Sequence, residues 1–294
     1  MTNHTVNPYR FPMGAAFVTV SLLSIFLNLV TAQTFLVHVF FRKRTCFRIM
    51  ALLAVAESVY QTVSFVCGLF TLFDTTFDDF FETLLTSIAA SSKTAMFLLT
   101  VLLAVNRFAT ISRLRPLPSK YFTALMVVIL IVATSQGVLQ CGVAVTTIFS
   151  LDYAVMTTKR ASSFDTFLCV VYSSCIALTF VLYVAIAVFI MFRRRKAGGK
   201  RILAPMEGAV LLQSIFVFLS YTTVIVISHY GNLIERGTAS YGVLSHVKQV
   251  LLGVFNPVIH FAFNSRFRTS VLRKLGTNPD KIKPIAVIVK PRQC

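Results

Sequence analysis

The chain has 294 residues, 56% of them hydrophobic and only 13% charged, with a mean hydropathy of +0.78. Soluble domains carry about 25% charged residues, so this composition excludes a disordered chain, a coiled coil and nearly every soluble enzyme fold. It leaves an integral membrane protein with a net charge of +18, from 28 Lys+Arg against 10 Asp+Glu.

A bilayer core of about 30 Å needs about 20 apolar residues per helix. Seven stretches meet that length, at roughly 13–41, 48–73, 84–111, 121–149, 167–192, 203–230 and 241–263. They do not alternate apolar and polar residues as membrane β-strands do, so the predicted fold is an all-α, seven-helix membrane bundle. The first stretch exceeds the about 7–15 residues of a signal-peptide core, and its positive charge follows it. It therefore reads as a membrane helix with the N-terminus outside. Residues 264–275 read as a short amphipathic helix after the seventh span. Residues 1–275 thus form one seven-span unit, and 276–294 a basic cytoplasmic tail.

Most basic residues fall in alternate connections, among them Arg42-Lys43-Arg44, Arg113 to Lys120 and Arg193 to Arg201. The intervening segments carry Asp74, Asp78, Asp79, Glu82, Asp152, Asp165 and Glu235. Basic residues mark the cytoplasmic side, so the expected topology is N-terminus outside and C-terminus inside. Charges that flank spans act on topology and on lipid surfaces, which accounts for the excess without nucleic acid. Asn3-His4-Thr5 is a glycosylation sequon on the expected outer side.

Ionisable groups within spans are functional candidates. Glu57, with Gln61 and Ser64 one and two turns later, makes a polar stripe that belongs against other helices. That stripe is either interhelical glue or a water or ion site. Asn28 also needs a partner inside the membrane. Lys93 lies 14 residues before Arg107, roughly 21 Å along one face of helix three. It could pair with Glu57 or meet an acidic ligand. Glu207 sits at the start of helix six, where a charge can reach the interface. In helix seven His246, Gln249 and Gly253 share a face ahead of Pro257, whereas Lys248 falls about 180° from that proline. The sequence has no metalloprotease, serine-hydrolase or phosphate-loop motif. Its six cysteines (46, 67, 141, 169, 175 and 294) form no CxxC pair, so neither metal, cofactor nor enzymatic chemistry is indicated.

Helix three ends in LLAVNRFATI (102–111), and helix seven in NPVIHFAFNSRF (256–267). These resemble the acid-Arg-Tyr and NPxxY regions of rhodopsin-like G-protein-coupled receptors. Asn106-Arg107-Phe108 stands for the first, and Asn256, Pro257 and His260 for the second, with Phe267 in the aromatic place. Asn28 and Glu57 match the family's polar residues in helices one and two. The departures are clear: there is no Trp, helices five and six lack their prolines, and no Cys opens helix three. Cys67 and Cys169 are the expected pair for an unusual disulfide in its place. This reduced set is similar to the nematode serpentine chemoreceptors.

The resemblance implies a plasma-membrane receptor, of a sensory neuron or its cilium, for a small organic molecule, signalling through a heterotrimeric G protein. Arg107 would be the switch, flanked by Asn106 and Phe108. Asn28, Glu57, Asn256, Pro257 and His260 would form the relay. Lys93, Met96, Tyr172, Phe218, Tyr221 and His246 would line a ligand pocket, with packing of the bundle as the alternative role. The rival readings are an ion channel or secondary transporter, and a receptor-like protein that does not signal.

Overall fold

The computed structural model describes residues 10–75, 78–112, 118–142, 147–150, 155–158, 163–196, 205–230 and 239–274. The sequon Asn3, the side chain of Glu207, and the tail 276–294 with Cys294 lie outside the described residues. The elements run α1 (Arg10–Val37), α2 (Val39–Arg42), α3 (Thr45–Phe73), α4 (Asp79–Ser112), α5 (Ser119–Gly142), β1 (Thr147–Ser150), β2 (Val155–Thr158) and α6 (Ser163–Lys196). They continue with α7 (Pro205–Tyr230), α8 (Ala239–Gly253), α9 (Phe255–Phe263) and α10 (Ser265–Lys274). Among the described residues six helices, α1 and α3 to α7, are long and apolar enough to cross a membrane. Helices α8 and α9 together make the seventh span, and α10 is the short amphipathic helix.

Helix α1 shows why the bundle belongs in lipid. Its buried positions include Ser21, Ser24, Asn28, Thr31 and Thr34. Its exposed positions include Leu22, Leu23, Phe26 and Leu29, each at least half exposed. The polar side faces protein and the apolar side faces out, the inverse of a soluble helix. Small residues let α1 approach α3: a Cβ on Gly68 would sit 3.0 Å from Phe17 Cβ, and one on Gly14 would sit 3.0 Å from Leu72 Cγ. At one end of this pair Arg10 forms an ion pair with Asp74 at 2.6 Å. Asp74 closes α3 in the left-handed conformation (φ 54°), a C-cap geometry that short polar side chains tolerate.

Three departures from the sequence pattern each have a local reason. The first span stops at Val37 instead of running to 41. His38 turns extended, and its Nδ1 accepts the Phe40 N–H at 3.3 Å, which starts the separate turn α2. The fourth span stops at Gly142 instead of reaching 149. Residues 147–150 pair antiparallel with 155–158, Thr147 opposite Thr158 and Ser150 opposite Val155, and this strand pair lies against α4. The β-branched Thr147 and Ile148 suit a strand, while their apolar character had extended the helix pattern. The seventh span is interrupted at Val254.

The interruption follows from Pro257. Proline has no N–H, so the carbonyl four residues earlier loses its helical partner. That carbonyl belongs to Gly253, and Asn28 Nδ2 of α1 donates to it at 2.7 Å while also donating to Ser24 O at 3.0 Å. Gly253 has no room for a side chain: an added Cβ would lie 2.3 Å from Gln61 Nε2 and 2.6 Å from Ser24 Oγ. Gly253→Ala is therefore expected to lower the thermal midpoint of the detergent-solubilised protein, by roughly 1–3 kcal/mol of overpacking. A melt unchanged from wild type would show that helix seven does not need this close approach.

Candidate functional site

Helix seven carries His246, Gln249, Gly253, Asn256 and His260 at alternating steps of three and four residues. Such spacing places all five on one face, and the structure turns that face inward. Near its start, His246 Nε2 lies 3.0 Å from Met13 Sδ, and its ring stands 4.1 Å from that of Phe17. One turn on, Gln249 Nε2 donates to Ser21 Oγ at 2.5 Å and to Gln61 Oε1 at 3.4 Å, while Gln61 Nε2 donates to the Gln249 carbonyl at 3.0 Å. Then come the Asn28–Gly253 contact and, below it, Glu57.

Glu57 is 1% exposed. Its Oε1 accepts the Tyr221 hydroxyl at 2.6 Å, and its two oxygens accept Asn256 Nδ2 at 3.0 and 3.1 Å. One carboxyl thus joins α3, α7 and α9 in a region where an unsatisfied polar group would cost several kcal/mol. The polar-core assignment brings Asn28, Glu57, Asn256 and Pro257 into one region, all on or beside this seam. His260 ends it, fully buried, with its ring 5.0 Å edge-on from Phe35 and 5.9 Å from Phe267.

The six pocket candidates divide. Lys93 Nζ stands 5.2 Å over the Tyr172 ring. Tyr172 stacks on Phe97 at 4.8 Å, and Phe97 meets Tyr221 at 5.5 Å. Thr94 Oγ1 fixes this group by donating to Gln136 Oε1 at 2.5 Å and sharing a hydrogen bond with the Tyr172 hydroxyl at 2.9 Å. Met96 is fully buried in the same apolar cluster. Phe218 falls elsewhere, in a cluster with Ala104, Ile111, Tyr183 and Ile186. His246 belongs to the α1 contact already described.

Two participants were not legible as such. Phe97 links the lysine end to the carboxyl, yet in the sequence it is one apolar residue in an apolar helix. Lys248 lies within electrostatic reach of Lys93; its place about 180° from Pro257 had left it either contacting another helix or reaching outward.

At the other end, Asn106 and Arg107 are each 7% exposed, and Phe108 is half-buried beside the Phe218 cluster. Arg107 lies within electrostatic reach of His260 and Tyr183. Its Nε and Nη2 have no hydrogen-bond partner among the described residues, and the same holds for both amide atoms of the buried Gln213. The five described cysteines, Cys67 and Cys169 included, are free thiols, so that pairing does not occur. Among the described residues no group of three or more His, Cys, Asp or Glu could hold a metal.

A seven-span bundle with a polar seam along helix seven and an amphipathic helix after it has the fold of rhodopsin. The crystal structure of squid rhodopsin superposes with a TM-score of 0.73 at 10% identity, covering 92% of this chain and 86% of that one. The sequence narrows this further: residues 2–284 match the serpentine type 7TM GPCR chemoreceptor Srt family, and the chain belongs to it. It is a multi-pass membrane receptor, not an enzyme. No match was found among the curated proteins.

The Tyr221–Glu57 bond is open to a direct check. Tyr221→Phe keeps the ring and removes the donor, at an expected cost of about 1–3 kcal/mol for a buried group left unpaired. The purified variant should melt below wild type, and Tyr221→Phe should lower the melt by less in a Glu57→Gln background, because the bond between the two is then already altered. Fully additive losses would mean the two residues act separately.

Proposed function

We propose that this chemoreceptor binds a small organic molecule from the outer side and passes the event to a heterotrimeric G protein at the side bearing Arg107. The observation that carries this reading is an unbroken contact path. It runs from Lys93 through Tyr172, Phe97 and Tyr221 to Glu57 and Asn256. A ligand shifts a two-state bundle only through its different affinity for the two states. A molecule seated against Lys93 and Tyr172 would press on Phe97, which touches the ring whose hydroxyl holds α7 to α3. Releasing that hydroxyl would free α7 to move relative to α3 and α9. Packed cores change between discrete arrangements rather than continuously, so loss of this one short buried bond would be the trip point.

The ligand class follows from the charges. Two lysines, Lys93 and Lys248, approach each other at the proposed ligand end, and one of them overlies an aromatic ring. An apolar molecule bearing a carboxylate or phenolate fits that surrounding. A panel of medium-chain carboxylic acids and their amides should separate the cases. Lys93→Gln is expected to weaken the response to an active acid by roughly tenfold or more, the loss of one charge-assisted contact, and to leave an active amide unaffected. Equal weakening of both would assign Lys93 to packing.

At the inner end, Arg107 would be the switch residue, with Asn106 and Phe108 beside it. Asn106 cannot form the ion pair that an acid there would make, so the resting state should be loosely held. Wild type is therefore expected to show basal Gα activation at equal surface expression. Asn106→Asp should lower it and Arg107→Ala abolish it. Basal activation equal in all three would remove Arg107 from the coupling role. The proposed setting is the plasma membrane of a sensory cell or its cilium, with the N-terminus outside and Asn3 there available for glycosylation.

A further inference from the structure

At the end of the bundle bearing α2 and α10 the structure holds a cavity of about 600 Å³, within the range of small-ligand sites. One wall is His38 and Phe40, and the other is Ser265, Arg266, Thr269, Ser270 and Arg273 of α10. We propose that this cavity is a binding site for the headgroup of a polyphosphorylated inositol lipid.

The chemistry of the walls favours a multiply charged anion. The Arg266 guanidinium lies 4.2 Å from the Phe40 ring centroid, and the Arg44 guanidinium lies 4.5 Å from the same ring. Stacking on an aromatic holds a guanidinium by its face and leaves its N–H edges for bidentate bonds to phosphate. Arg273 extends the positive surface two turns along α10, and the hydroxyls of Ser265, Thr269 and Ser270 add neutral donors. The sequence places no acidic residue before Glu57 or between Arg236 and Asp280, so α2 and α10 themselves bring no carboxyl to the site.

The surroundings favour a lipid over a free phosphate. Leu36, Val37 and Val39 beside the cavity are 46%, 61% and 57% exposed. They offer an apolar surface on which the acyl chains of a headgroup held at Arg266 can lie. Helix α10 is fixed for this purpose from below: Phe267 and Val271 are buried, Asn264 Oδ1 accepts the Phe267 N–H at 3.1 Å, and the Phe267 ring packs 5.2 Å from Phe35. A cytoplasmic-leaflet lipid reaches this cavity only under the proposed topology. Nanodiscs, which expose both faces, test the site independently of topology and of G-protein coupling.

The full-length receptor in phosphatidylcholine nanodiscs would be titrated with fluorescent phosphatidylinositol bisphosphate. The wild type should take up this lipid in preference to phosphatidylserine at matched charge. Arg266→Gln with Arg273→Gln should weaken uptake at least about tenfold more than Arg193→Gln with Arg195→Gln, which removes equal charge from α6. Arg266→Lys with Arg273→Lys should fall between, since lysine keeps the charge and loses the fork. Thermal melts identify any variant that misfolds, and the lysine pair then carries the comparison. Equal losses in the two glutamine pairs, equal uptake of phosphatidylserine, or displacement by free inositol trisphosphate at the concentration of the lipid would each overturn the proposal.

Discussion

Pro257 takes a donor away from helix seven, and the carbonyl it leaves behind sits where no water-exposed surface can satisfy it. Asn28 answers that carbonyl from α1. The consequence reaches well beyond one bond. To place the amide of Asn28 against Gly253, α1 must run against α8 with its polar face inward, and Gly253 must lack a side chain. Gln61 and Ser24 then close the space that glycine leaves. The same face of helix seven, continued past the proline, brings Asn256 to Glu57.

From there the structure divides into two jobs. Toward the Arg10 end, aromatic rings carry contact between the lysine-lined region and Tyr221. Toward the Arg107 end, a separate apolar cluster surrounds Phe108 and Phe218, with the partly unsatisfied Arg107 beside it. Glu57 is the junction because it bonds both α7 and α9. A cluster of apolar contacts can shear without losing much energy. A short buried hydrogen bond is made or it is absent, which suits a two-state element.

The spans were legible in the sequence because lipid imposes both length and the demand that backbone groups bond internally. The polar core was legible for a related reason: Asn28, Glu57 and Asn256 are costly in apolar helices, so their presence already called for partners. The rest depended on events that hydrophobicity does not record. His38 ended a helix by capping its successor. Thr147 and Ile148 took strand pairing although they read as an apolar helix end. Phe218 and Tyr221 are neighbours on α7, yet a difference of under one turn puts them in different clusters. Helical rotation and depth, fixed only by packing, decided which aromatic side chains meet.

The tight fit around Gly253 also constrains how such a sequence can change over time. A glycine that touches Gln61 from one helix and Ser24 from another is not a site that varies alone. Any lineage that places a side chain there must first shorten Gln61 or give way at Ser24. Shortening Gln61 in turn removes the group that donates to the Gln249 carbonyl. These three helices therefore share a single evolutionary degree of freedom at this height in the bundle, and substitutions there should arrive as correlated sets.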